Sequence, residues 1–186
     1  AYGYLPEDKI INIDDPEVVF DAANVLRVND DLLYLVSDSG NIKGAEWLQK
    51  QFPNKRVHVL DNIYQGVHID STISVLNENT VMLNAGRITG DKLPEIFHGW
   101  NIVWVNEKDL APMGFYKYPY ASKWMAMNVF SVDRKTVMVD QDQHDIIRKL
   151  EKRNFNVMPS KLTHARTLGG GFHCCTLDLW REDSGT

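Results

Sequence analysis

The chain has 186 residues, 44% of them hydrophobic, with a formal net charge of −5 and only two cysteines. That length supports one substantial core, so a single domain over residues 1–186 is the expectation. Lys and Arg are scattered without a basic stripe, no apolar run approaches the roughly 20 residues needed to cross a bilayer, and the opening residues lack a signal-peptide layout; the composition argues against nucleic-acid and membrane partners and for a cytoplasmic protein.

In chain order, three segments repeat one pattern of strand, polar turn, strand, helix, strand. The first, roughly 22–62, runs "NVLRV", "NDD", "LLYLV", the amphipathic "IKGAEWLQKQF" and "RVHVL". The second, roughly 68–106, has "STISVL" and "TVMLNA" around "NEN", a short helix at "KLPEIFH" and the strand "NIVWV". The third, roughly 122–160, reads "MNVFSV", "DRK", "TVMVD", "QHDIIRKLEKRN" and "FNVMP", with Ile146, Ile147 and Leu150 on one helical face. Each strand pair separated by a few polar residues is a hairpin signal. Leu32, Thr80 and Thr136 mark the second strand of each unit at spacings of 48 and 56 residues, regular enough to suggest radial repetition. In such a repeat each module covers its neighbour's apolar face. "HCCTLDLW" then reads as a closing strand over 172–181.

Several residues at strand ends carry candidate chemistry. Alternation along a closing strand sends the adjacent thiols of Cys174 and Cys175 to opposite faces, so one would face a site and the other would pack. Contiguous His173, Cys174 and Cys175 lack the spacing that wraps a tetrahedral zinc ion, so no metal site is expected. His68 and Asp70, two apart in an extended segment, would share a face about 7 Å apart as an acid/base unit. Asp21 is either a cap or a carboxylate in a partly dry site, and Arg87 either grips a carboxylate or is a solvated loop residue. Ser122 opens the third unit and could be only a polar strand start. His58, His98, His144 and His164 have no companion pattern and read as structural or solvated.

The motifs "VFDAANVLRV", "HIDSTISVL", "NAGR", "SKWMAMNVF", "VMVD" and "LGGGFHCCTLDLWR" together resemble the C-terminal portion of the amidinotransferases, the family that includes glycine amidinotransferase. The resemblance runs in order from about Pro16 to Arg181, about three-fifths of the family's length. It implies an α/β fold of pentein type, an α/β-propeller of ββαβ modules of which about three are present with the closing strand. It also implies a triad of Cys174 as nucleophile, His68 as general acid/base and Asp21 as its partner. Asp70 would hold the substrate guanidinium, Arg87 the substrate carboxylate, and Ser122 would lie near the bound amino acid. The expected activity is transfer of the amidino group of L-arginine through a cysteine-bound intermediate to an amine such as glycine, releasing ornithine. No metal or organic cofactor is expected. Alternatives are an arginine or methylarginine hydrolase of the same superfamily and a non-catalytic module. The missing modules imply a homo-oligomer or a missing N-terminal segment.

Overall fold

A computed structural model of the protein describes residues 10–112, 122–163 and 169–177. Within them lie three sheets of three strands, built on one plan. In the first, β1 (Val25–Val28) runs antiparallel to β2 (Asp31–Leu35), which is parallel to β3 (Val57–Leu60). In the second, β4 (Ile73–Asn77) and β5 (Thr80–Asn84) form the hairpin and β6 (Asn101–Val105) is the parallel partner of β5. In the third, β7 (Phe130–Ser131) pairs with β8 (Thr136–Asp140), and β9 (Asn156–Ser160) runs parallel to β8. The repeat is real at the level of register. Leu32, Thr80 and Thr136 each open the parallel ladder of their sheet, opposite Val57, Asn101 and Asn156.

Two of the crossovers are α-helices, α1 (Ile42–Gln51) and α2 (His144–Glu151). The Asn41 side chain caps α1 by accepting the Gly44 N–H at 2.9 Å. In α2, Asp145 lies in the first turn and Arg148 and Lys149 in the last, each sign suited to the helix dipole.

Adjacent sheets pack through opposite faces of their central strands. Leu33 and Leu35 of β2 join Ile69, Ile73, Val81, Leu83 and Phe97 in one buried cluster, while Leu32 and Tyr34 turn the other way onto Ala45 and Leu48 of α1. Every residue of β5 is buried, because Val81 and Leu83 face the first module and Met82 faces the third. There Met82, Val103 and Val105 meet Val137, Val139, Ile146 and Leu150. Each fully buried aliphatic side chain contributes about 1.5–3 kcal/mol, so a module separated from its neighbours would lose much of its core.

At the hairpin end, asparagines link one module to the next. Asn29 Nδ2 donates to Glu78 O at 3.3 Å, and Asn77 Nδ2 donates to Arg134 O at 2.9 Å.

Three expected elements differ. "KLPEIFH" forms no α-helix: the crossover consists of 3-10 turns at Gly90–Lys92 and Glu95–Phe97, separated by Pro94, whose ring and missing N–H oppose a continuous helix. The strand expected over "MNVFSV" shrinks to Phe130–Ser131, because Asn128 ends a 3-10 turn over Lys123–Met127. The closing strand expected over 172–181 is a turn at 172–175, and 178–181 lie outside the described residues. Its backbone is engaged elsewhere: the Phe172 N–H donates to Asn128 O at 3.0 Å, the Cys174 N–H to Asn128 Oδ1 at 3.1 Å, and the Thr176 N–H to His173 O at 3.0 Å.

Candidate active site

The sequence-predicted site residues lie on turns outside the strands, and four of them form two contacting pairs, Asp21 with His68 and Asp70 with Cys174. Asp21 precedes the 3-10 turn Ala22–Asn24 and caps it, its Oδ1 accepting the Ala23 N–H at 2.9 Å. Its other carboxylate oxygen meets His68 Nε2 at 3.1 Å. Asp21 therefore both caps its turn and contacts His68, where the sequence offered a cap and a partly dry carboxylate as alternatives.

His68 is not in a strand. It sits at φ 66° before a 3-10 turn over Ile69–Ser71, a left-handed conformation that few non-glycine residues adopt and that surrounding contacts must hold. One such contact is the buried Asn24, whose Oδ1 accepts the His68 N–H at 3.1 Å. The inference that strand alternation puts His68 and Asp70 on one face therefore fails, and each has a different partner.

Asp70 is buried and meets Cys174. Its Oδ2 accepts from the Cys174 thiol at 3.3 Å and lies 3.0 Å from His173 Nδ1. Its Oδ1 is buried and has no hydrogen-bond partner among the described residues. Burial pushes the Asp70 carboxyl up, but the hydrogen bond and charge of His173, with the neighbouring Cys174 thiol and Asn128 amide, outweigh it and hold the group below the usual carboxylate value. The carboxylate is thus ionised at neutral pH.

The consequence for the thiol is opposite. Partial burial pushes the Cys174 thiol above its ordinary value, and the negative charge of Asp70 adds to the shift. The residue as a whole remains exposed, as does Cys175. Because 172–175 is a turn, the expected division of the thiols between two strand faces does not apply. What distinguishes them is contact: the Cys174 sulfur touches Asp70 and Asn128.

Arg87 is anchored beside Asp70 rather than solvated. Its Nη1 donates to Ser71 O, Ser71 Oγ and Thr72 Oγ1 at 3.2, 2.8 and 2.6 Å. The guanidinium carbon lies 3.5 Å from the centre of the Tyr64 ring and 5.9 Å from that of Trp124. Burial lowers its pKa, with Tyr64 opposing, but a guanidinium remains charged. Ser122 is exposed and accepts the Trp124 N–H at 3.3 Å, capping the turn that carries Trp124 and ends at Asn128; among the described residues no hydrogen bond or ion pair joins its side chain to the other site residues.

Sequence reasoning passed over Asn24, Tyr64 and Asn128, and weighed His173 only as a metal ligand. For Asn128 a signal existed: a polar residue between Met127 and Val129 in an apolar run, here 1% exposed. His58 has a structural partner, its Nε2 2.8 Å from Asp31 Oδ2 across β2 and β3; His164 lies outside the described residues. Among the described residues no group of three or more His, Cys, Asp or Glu could hold a metal ion, and no helix is long and apolar enough to cross a membrane.

No family model matches the chain. It is 46% identical over 172 residues to inosamine-phosphate amidinotransferase 1 of Streptomyces glaucescens, a match taking in 91% of this chain and 49% of that protein. Against the mitochondrial glycine amidinotransferase of Xenopus laevis it is 33% identical over 172 residues, covering 89% of this chain and 39% of the relative. The solved structure of an inosamine-phosphate amidinotransferase from Streptomyces griseus superposes with a TM-score of 0.84 at 45% identity, over 92% of this chain and 49% of that one. A dimethylarginine dimethylaminohydrolase shares the fold alone, with a TM-score of 0.65 at 15% identity over 86% of this chain and 57% of that one.

The homologues of this chain are therefore amidinotransferases, and its fold is the α/β pentein type, present in part. The chain spans about half the length of the curated relatives it matches.

Proposed function

We propose that this chain carries the covalent centre of an amidinotransferase, with Cys174 as nucleophile, His68 as general acid/base oriented by Asp21, and Asp70 as the anchor of the substrate guanidinium. The observation that carries the reading is the contact of Cys174 with a buried, ionised Asp70 whose second oxygen has no partner among the described residues. A buried carboxylate oxygen without a donor is costly, and a guanidinium supplies both the donor and the charge. Arg87 takes the carboxylate of the amino-acid substrate, held ready by Ser71, Thr72 and Tyr64, and Ser122 lies near that end of the ligand.

The sequence of steps follows from the charges. In the resting site the thiol is protonated, since Asp70 disfavours a second negative charge beside it. A cationic guanidinium on Asp70 reverses that field, so the thiol gives its proton to His68 and the sulfur attacks the central guanidinium carbon. An S–C bond forms; when the C–N bond to the ornithine amine breaks, that amine takes the proton from His68 and leaves. Neutral His68 then accepts a proton from an incoming amine, which attacks the amidino carbon and releases the thiolate. Exclusion of water keeps the intermediate from hydrolysing.

The acceptor is an amine, and the greater identity to an inosamine-phosphate amidinotransferase than to a glycine amidinotransferase favours an aminocyclitol-type amine over glycine. Incubation with labelled arginine, with and without an inosamine phosphate or glycine, tests this. Ornithine should appear in step with acceptor. Citrulline formed without any acceptor would instead indicate a hydrolase.

A further inference from the structure

The two residues read above as nucleophile and acid/base are both held by buried asparagines placed in the same way. Asn24 ends a 3-10 turn immediately before β1, is fully buried, and accepts the N–H of His68, 44 residues further on, at 3.1 Å. Asn128 ends the 3-10 turn before β7, is 1% exposed, and accepts the N–H of Cys174, 46 residues further on, at 3.1 Å. Each reaches from the entry of one module to the next functional turn along the chain.

The two differ in what the amide nitrogen does. In Asn24 it donates to Ser39 Oγ at 3.0 Å. In Asn128 it donates to Cys174 Sγ at 3.2 Å, so one planar amide grips both the backbone N–H and the sulfur of the same residue. The Asn128 carbonyl takes a third bond, from the Phe172 N–H at 3.0 Å. Gly171 lets the turn lie flat on this amide, because a Cβ there would come within 2.5 Å of the Asn128 Cβ and Oδ1.

We propose that Asn128 is the positioning residue for Cys174, fixing the direction of the sulfur and favouring its thiolate against the repulsion of Asp70. An N–H aimed at sulfur stabilises the charged form of the thiol over the neutral one. The proposal rests on the reading of Cys174 as nucleophile, but its test does not require turnover.

The experiment follows iodoacetamide alkylation of Cys174, separated from Cys175 by tandem mass spectrometry, across a neutral-to-alkaline pH series. Asn128→Ala and Asn128→Leu each remove the donor to sulfur and the acceptor for the Cys174 N–H without adding a charge beside the thiol. Thermal unfolding is recorded beside each variant. The midpoint of alkylation should rise in both, by about half a unit or more. A purely structural asparagine would lower the melting temperature and leave the midpoint within about 0.2 unit of the parent, and that result overturns the proposal. Asn128→Ala adds neither bulk nor charge, so it stands as the decisive variant if Asn128→Leu does not fold. In parallel, the unsubstituted protein is incubated with arginine. Absence of an amidino adduct on Cys174 counts against the nucleophile reading alone, whereas an unmoved midpoint counts against Asn128 alone.

Discussion

Asp70 and Asp21 each hold a histidine at nearly the same distance, 3.0 Å to His173 and 3.1 Å to His68, in surroundings that differ sharply. The Asp70 side chain is 8% exposed and also contacts a thiol and, through its turn, an anchored arginine; the Asp21 side chain is 30% exposed and caps its own turn. The same pair of groups thus serves two ends. Buried, the carboxylate sets the charge state of its neighbours and presents an oxygen without a donor among the described residues. Partly solvated, it contacts an imidazole that is itself 43% exposed.

Substitutions separate the two halves of this comparison. Cys174→Ser should lower transfer from arginine by about 10⁴-fold or more, while Cys175→Ser changes it by no more than about threefold, since the covalent route is lost only in the first. Asp70→Asn should cost about 10²- to 10³-fold in kcat/KM and yet accelerate alkylation of Cys174 at neutral pH, because removing the neighbouring charge lowers the thiol pKa. Asp21→Asn should cost less, about 10- to 100-fold, and leave the alkylation midpoint in place. Equal midpoints in the two aspartate variants would remove the distinction between the pairs.

The buried carboxylate should also appear in the acid limb of stability. Its folded pKa is depressed, so its contribution is present above the ordinary carboxylate value of about 3.9 and is lost as pH falls through the lower folded value. Denaturant titrations below about pH 4 should therefore show a steeper loss in the parent than in Asp70→Asn. The smallest effect belongs to Ser122→Ala, which removes the exposed cap of a partly buried turn and should cost about 0.5–1 kcal/mol by chemical denaturation.

Much of the fold was legible because its signals are local and periodic. Alternating apolar residues around short polar turns gave the hairpins, and the spacing of Leu32, Thr80 and Thr136 gave the matching register positions. Helix α2 was visible in Ile146, Ile147 and Leu150. Elsewhere tertiary contacts decide: Asn128 takes the backbone of 172–174 away from any strand ladder, and Pro94 divides the second crossover into two tight turns.

The candidate site was legible in its residue types and less so in its pairings. His68 and Asp70 looked like one unit because they are two apart in an apparently extended segment. The positive φ of His68 breaks that alternation, and Asp70 pairs with Cys174 and His173, more than a hundred residues away. A contact across such a separation has no periodic signature. Asn24 lacked one as well, and Asn128 showed only as a polar residue within an apolar run; the backbone N–H that each accepts comes from a distant segment.

The central claim is that Cys174, in its contact with Asp70, is the group that receives the amidino unit. The most direct measurement is tandem mass spectrometry of the protein after brief incubation with arginine and without acceptor, repeated with Asp70→Asn. Cys174 should carry the added mass of one amidino group, lost on adding an acceptor amine and much reduced in Asp70→Asn. An unmodified Cys174 at every pH tried, or an adduct carried by Cys175, would contradict it.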